Sequence, residues 1–294
     1  MLTTETPSSQ HTELDLYPSL QLIEALIDDQ FAAVEAVRAA AAQITEAVTQ
    51  ALPRILDGGR LIYVGAGTSG RLGVLDSVEL FPTFSWPNNR AIGVLAGGHQ
   101  AMFAAVEGAE DDEKQGAADL LALAVQNNDV VLLLAASGAT PFVMGALQAA
   151  RDCGALTIGF ANNVDAPVTT QADIGITLNT GNEIISGSTR LKAGTAQKIA
   201  LNTFSSALMI KLNKVYGNLM VDLKPTNAKL LRRAISLTMF ATGCDEARAH
   251  ETLELCDQHV KTAVVALLNH SSIASAQARL AESNGSVRLA LELH

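Results

Sequence analysis

The sequence is poor in aromatic residues. Phe, Trp and Tyr fill only 4% of its 294 positions, whereas apolar residues reach 48%. The core must therefore be aliphatic and alanine-rich. Cysteine is scarce too: Cys153, Cys244 and Cys256 are dispersed, odd in number and without a C-x-x-C pair. That argues against a disulfide framework and fits reduced thiols in a cytoplasmic protein. Bases are outnumbered, with Lys+Arg 20 against Asp+Glu 30 and a net charge of −10. Such a balance disfavours nucleic acid as a partner. No apolar run approaches the roughly 18 residues of a membrane span, and Val130–Ala136 is among the longest. The opening MLTTETPSSQHTELD is polar and acidic, unlike a secretory signal.

What is present is organised around Leu61–Glu79, LIYVGAGTSGRLGVLDSVE. Leu61–Val64 reads as a buried strand, followed by a Gly/Ser/Thr turn and at once by a helical pattern. Strand, turn and helix N-terminus are how α/β folds build an anion site, with free N–H groups and hydroxyls aimed at the ligand. Gly65, Gly67 and Gly70 match G-x-G-x-x-G, but Thr68 and Ser69 fill the turn with hydroxyls. Position 84, about twenty residues on, is Phe84 rather than a ribose-binding acid. No Lys-Ser/Thr pair follows, so a P-loop is excluded as well. The turn predicts a phosphate on a small molecule; the plain alternative is a tight turn that binds nothing.

Apolar runs recur at Ala91–Ala96, Val130–Ala135, Leu156–Phe160 and Ile174–Leu178, each separated by a helix-length segment. Buried runs without alternation, joined by helical connections, predict a doubly wound α/β domain with a five-stranded parallel sheet. Ligands of such sheets lie at the carboxyl ends of the strands. There the third run leads into Ser137-Gly138-Ala139-Thr140-Pro141, a second hydroxyl turn, with Pro141 suited to a first helical turn. Two such turns predict a shared phosphate cradle, although Ser137 and Thr140 are also good helix caps. Before the sheet, Leu16–Leu56 predicts two helices broken near Asp28-Asp29. After it, a helical C-terminal region begins near Asn227. The division is therefore an N-terminal helical arm (1–57), an α/β ligand-binding domain (58–226) and a C-terminal helical bundle (227–294).

Carboxylates form the second chemical theme. Asp76 and Glu79 fall in the helix after the first turn. Glu79 lies among Val78, Leu80 and Phe81, with Pro82 expected to end the helix, and apolar surroundings raise a carboxyl pKa toward use as a general acid. Glu107–Glu113 is acid-rich, and Asp111, Asp112 and Glu113 read as a solvated loop opening a helix. His250, His259 and His270 are spaced by nine and eleven, and read as surface or capping residues.

A third stretch, GNEIISGSTRLKAGTAQK (181–198), opens with Glu183 and carries Arg190, Lys192 and Lys198 among hydroxyls. This pattern resembles the signature shared by N-acetylmuramic acid 6-phosphate etherases and glucokinase regulatory proteins. The resemblance extends to GAGTSGR (65–71), DSVELFPTF (76–84), AVEGAEDD (105–112), ASGATP (136–141) and YGNLMVDLKPTN (216–227). The regulatory proteins carry two sugar-isomerase-type (SIS) domains, so a single set of motifs favours the etherase. Departures are Asn182, Phe81 and Ser8, the last standing where a T-E-x-x-N pattern would have Asn.

The resemblance implies a lyase that splits the D-lactyl ether of N-acetylmuramic acid 6-phosphate, with Glu79 as general acid and Glu110 as general base. It also implies a cytoplasmic homodimer acting in cell-wall (peptidoglycan) recycling and amino-sugar catabolism. Gly67, Thr68, Ser69, Arg71, Ser137, Gly138, Thr140, Glu183, Ser188 and Lys192 are the expected substrate and phosphate contacts. No metal or organic cofactor is expected. Two other readings remain, a non-catalytic phosphosugar-binding regulator and an SIS-type aldose–ketose isomerase.

Overall fold

The computed structural model describes residues 2–225 and 227–293. Five strands form one sheet: β1 (Leu61–Gly65), β2 (Ala91–Leu95), β3 (Val130–Leu134), β4 (Leu156–Ala161) and β5 (Ile174–Thr177). All neighbours are parallel, in the order β2-β1-β3-β4-β5. β1, β3 and β4 are buried throughout, as expected for strands covered on both faces.

Three helices precede the sheet: α1 (Ser19–Asp28), α2 (Phe31–Ala39) and α3 (Ala41–Leu56). The break at Asp28-Asp29 is as expected, but a second one at Ala40 makes three helices rather than two. Ala40 has φ −83° and ψ 6°, a local unwinding that alanine composition does not signal. Within the sheet region run α4 (Gly67–Phe84), α5 (Glu113–Leu121), α6 (Pro141–Asp152), α7 (Pro167–Gln171) and α8 (Lys192–Lys211). Pro82 does not end α4, which continues to Phe84. α5, α6 and α7 cover the sheet face of Ile62, Val64, Val131 and Leu133. α4 covers the opposite face so closely that a Cβ on its Gly73 would meet Leu134 and Tyr63.

The chain divides into two compact units. One takes everything up to Val78 and again Asn88–Ser205, and so contains the sheet; the other takes Glu79–Pro87 and the chain from Ser206 onward. Two of the three boundaries fall inside helices, Val78/Glu79 in α4 and Ser205/Ser206 in α8, and the third lies at Pro87/Asn88 between α4 and β2. The second unit adds α9 (Ala228–Thr242), α10 (Glu246–Leu255), α11 (Val260–Leu268), α12 (Ile273–Glu282) and α13 (Val287–Glu292). Its core joins Val221 and Leu223 to Ile235, Leu253, Val260 and Val264. Four of these helices are capped from the side chain at the N-cap: Asn227, Asp245, Ser272 and Ser286 each accept from the third residue on. Among the described residues no helix is long and apolar enough to cross a membrane.

Candidate functional site

The strand order places β1 between β2 and β3, so the chain leaves the sheet in opposite directions on either side of the β1/β3 gap. That gap is the switch point at which doubly wound sheets bind ligands. β1 and β3 pair with Gly65 opposite Leu134, and both strands then end. The turns 65–71 and 135–141 thus leave adjacent strands at the same level. Gly65 and Gly70 are matched to each other: a Cβ on Gly65 would lie 2.7 Å from the Gly70 Cα, so strand end and helix start touch.

Between the turns lies a cavity of ≈440 Å³. Thr68 and Ser69 line it from the first turn, Ser137 and Thr140 from the second, and Gly67 from the backbone. Ser69 is buried, and its hydroxyl has no partner among the described residues. Thr140 sits at the N-cap of α6, yet its side chain makes no capping bond. Its hydroxyl lies 3.4 Å from that of Ser137, which in turn accepts from the Ala139 N–H at 3.3 Å. The hydroxyls of the second turn are thus gathered at the helix start rather than committed to capping it. Gly138 supports this turn from behind with φ +80° and a carbonyl that accepts from the Val168 N–H at 2.9 Å.

Glu110 lines the same cavity from the short turn Ala109–Asp111. Asp111 lines it as well while staying exposed, as expected of a solvated loop, and Asp112 does open a helix, accepting from the Gln115 N–H at 2.9 Å to cap α5. Three lining residues escaped the sequence reading: Leu2 and Glu5 from the N-terminus, and Thr189 from the SGSTR stretch. Thr189 had a signal, a hydroxyl next to Ser188, and Glu5 stood in the T-E-x-x-N pattern, which named no role for it.

Other expected contacts have partners elsewhere. Glu183 is fully buried and accepts the Lys192 and Ala193 N–H groups at 3.1 and 2.9 Å, holding the start of α8. Desolvation raises its pKa, against the pull of those two N–H donors. Lys192 is 6% exposed and pairs with Asp29 at 2.5 Å. The Arg71 guanidinium donates to the Ala101 carbonyl at 2.8 Å. None of these three lines the cavity, nor does Ser188, and among the described residues no Lys, Arg or His lines it. The groups it offers an anion are amides, hydroxyls and helix N-termini.

Glu79 belongs to the second unit and its side chain is exposed, with Val78 and Phe81 exposed beside it. The enclosed carboxylate expected at Glu79 is instead Asp76, one turn earlier. Asp76 is 4% exposed and accepts from Tyr63 Oη at 2.9 Å, Asn202 Nδ2 at 2.6 Å and Ser205 Oγ at 3.2 Å. Desolvation raises its pKa, although those three donors and Lys198 pull the other way. The misreading has a simple cause: neighbours in sequence point around a helix, not toward one another.

Comparison with known proteins fits this geometry. Residues 99–207 match the SIS domain, and residues 43–151 match the N-terminal SIS domain of glucokinase regulatory protein. A phosphoheptose isomerase from Francisella tularensis has the same fold at 16% identity and a TM-score of 0.50, over 66% of this chain and all of that one. Whole-chain relatives are far more alike. The N-acetylmuramic acid 6-phosphate etherase of Deinococcus radiodurans is 54% identical over 98% of this chain and 94% of its own. That of Cutibacterium acnes is 46% identical over 99% and 96%. With such identity sustained from end to end, this protein belongs to the N-acetylmuramic acid 6-phosphate etherase family.

Proposed function

We propose that the protein is a carbon–oxygen lyase that cleaves the D-lactyl ether of N-acetylmuramic acid 6-phosphate, giving N-acetylglucosamine 6-phosphate and D-lactate. The observation that carries this is one cavity joining two hydroxyl turns at the sheet's switch point to the carboxylate of Glu110. The phosphate sits on the turns, with Ser69, Thr68, Ser137 and Thr140 as donors. Glu110 removes the C2 proton of the open-chain sugar, and the electrons form the C2–C3 double bond. The C3–O bond breaks, and Glu79 supplies the proton taken up by the departing lactyl oxygen. Water then adds to C3 of the unsaturated aldehyde while C2 regains a proton. An ether is a poor leaving group and the C2 proton only weakly acidic, so base and acid each contribute about 10²–10⁴ in rate.

The protein acts as a homodimer in the cytoplasm, in peptidoglycan recycling and amino-sugar catabolism. Supporting the dimer, Leu20, Ile23, Ile27, Phe31 and Val34 recur at intervals of three and four along α1 and α2 and are all more than half exposed. Supporting a reducing compartment, its three cysteines are free. A regulator without chemistry would bind the phosphosugar without releasing lactate, and an isomerase would leave the ether intact.

The test is to incubate the protein with N-acetylmuramic acid 6-phosphate in D₂O and follow D-lactate and C2 deuterium. Wild type should release D-lactate. Glu110→Gln should abolish C2 exchange, whereas Glu79→Gln should retain exchange while lactate release collapses. C2 exchange without lactate release by the wild type marks an isomerase, and wild-type rates in both variants sink the assignment of roles.

A further inference from the structure

Thr4 is fully buried, four residues from the start of a chain whose next neighbours are mostly exposed. Its N–H donates to Asn163 Oδ1 at 3.3 Å, and its hydroxyl accepts from Asn163 Nδ2 at 3.0 Å. Asn163 is 2% exposed, and its Nδ2 also donates at 3.0 Å to the carbonyl of Ala136, the residue before Ser137. One asparagine therefore staples the N-terminal arm to the second hydroxyl turn. A further tie follows, from Asn182 Nδ2 to the Pro7 carbonyl at 3.3 Å.

Glu5 lies between these ties, in the short turn Thr3–Glu5, and lines the same cavity as Ser69, Ser137 and Glu110. Its carboxylate rests against the third hydroxyl stretch: a Cβ on Gly187 would lie 3.2 Å from Glu5 Oε2. Gly187 has φ +79°, so a side chain there would be strained as well as crowded. The burial of Thr4 and its two bonds to Asn163 offset the entropy lost on ordering this segment.

Resting on the phosphosugar reading above, we propose that Glu5 contacts the substrate, its carboxylate accepting a hydrogen bond from a hydroxyl or amide N–H of the sugar. An ionised carboxylate only accepts, and it repels a phosphate dianion, so it addresses the neutral part of the ligand rather than its phosphate. Thr4 is then a positioning residue that fixes Glu5 through Asn163.

The experiment compares KM and kcat for N-acetylmuramic acid 6-phosphate with the inhibition constant of inorganic phosphate, which probes the hydroxyl turns alone. Glu5 is exposed, so its substitution leaves the fold intact. Glu5→Ala should raise KM by about 10- to 100-fold, the range for a hydrogen bond to a charged group, while phosphate inhibition stays within about twofold. Glu5→Gln, which keeps a carbonyl acceptor, should fall between, and Thr4→Val should move in the same direction. Kinetic constants within about twofold of wild type for Glu5→Ala overturn the proposal. So does an equal loss of sugar and phosphate binding, which marks a structural role. Should the wild type release no D-lactate, the reaction is wrong, and calorimetric binding of N-acetylglucosamine 6-phosphate decides on Glu5: weaker binding by Glu5→Ala supports it, and unchanged or absent binding rejects it.

Discussion

Replacing Gly138 by alanine tests whether the second hydroxyl turn is held from behind. The added Cβ would sit 2.2 Å from Ala166 Cβ and 3.0 Å from Ala161 Cβ. Two carbons prefer roughly 3.5–4.0 Å, so turn and neighbour must part by roughly 1.3–1.8 Å. Neither neighbour can rotate away, since a Cβ moves only with its backbone. Parting strains the bond from the Val168 N–H to the Gly138 carbonyl, which ties the turn to α7. To this is added the φ of +80°, which costs an L-residue about 1–2 kcal/mol. Overpacking of this kind adds about 1–3 kcal/mol, giving a total of about 2–5 kcal/mol. The control is Gly58→Ala, with φ +88° and no heavy atom within 4 Å of the added Cβ, so that only the backbone cost of about 1–2 kcal/mol applies. Urea denaturation of both variants gives the two costs, and inhibition by inorganic phosphate reports the turn. Gly138→Ala should be the less stable by more than about 1 kcal/mol and should bind phosphate more weakly. Equal stability, with phosphate binding untouched, would refute the account of the turn.

Ser69→Ala and Ser137→Ala should each weaken phosphosugar binding by about 1–3 kcal/mol, as expected for a hydrogen bond to a charged group; unchanged calorimetric affinity in both would move the phosphate elsewhere. Asp129, 1% exposed, accepts from Arg60 Nη2 at 2.6 Å, Arg60 Nε at 3.0 Å and the Gln126 N–H at 2.9 Å. Burial pushes its pKa up, but Arg60 and the backbone donors outweigh this and hold it below 3.8. The folded pKa is thus depressed, so the stabilisation is present above pH 3.8 and lost as pH falls through the lower folded value. Asp129→Asn should destabilise by about 3–5 kcal/mol at pH 7, and its stability gap to wild type should narrow in that acid window; a gap independent of pH would count against the ion pair. For the homodimer proposed above, Ile23→Glu on the exposed face of α1 should give monomer in sedimentation velocity, and a dimer unchanged by the substitution would place the interface elsewhere.

The sequence by itself determined the strands and the character of each turn. Continuous apolar runs such as Val130–Leu134 admit burial on both faces and little else, and Gly/Ser/Thr turns running into helices are local chemistry. Caps such as Asn227 and Asp245 were fixed in the same way, by side chains reaching three residues along. What only the tertiary structure decided is which of these local pieces meet. Strands one and three are about seventy residues apart in the chain, and nothing in either says that they are neighbours; the sheet order does, and it turns two glycine turns into one cavity. The same holds for charge. Lys192 and Glu183 look like ligand groups in their stretch, yet Asp29 and the N–H groups opening α8 claim them. Asp76, not Glu79, is enclosed because helical geometry turns it toward Tyr63, Asn202 and Ser205. Glu5 reaches the site because Thr4 meets Asn163, 159 residues away. Local propensity is written residue by residue, whereas burial and partnership depend on long-range packing, and that packing chose the site.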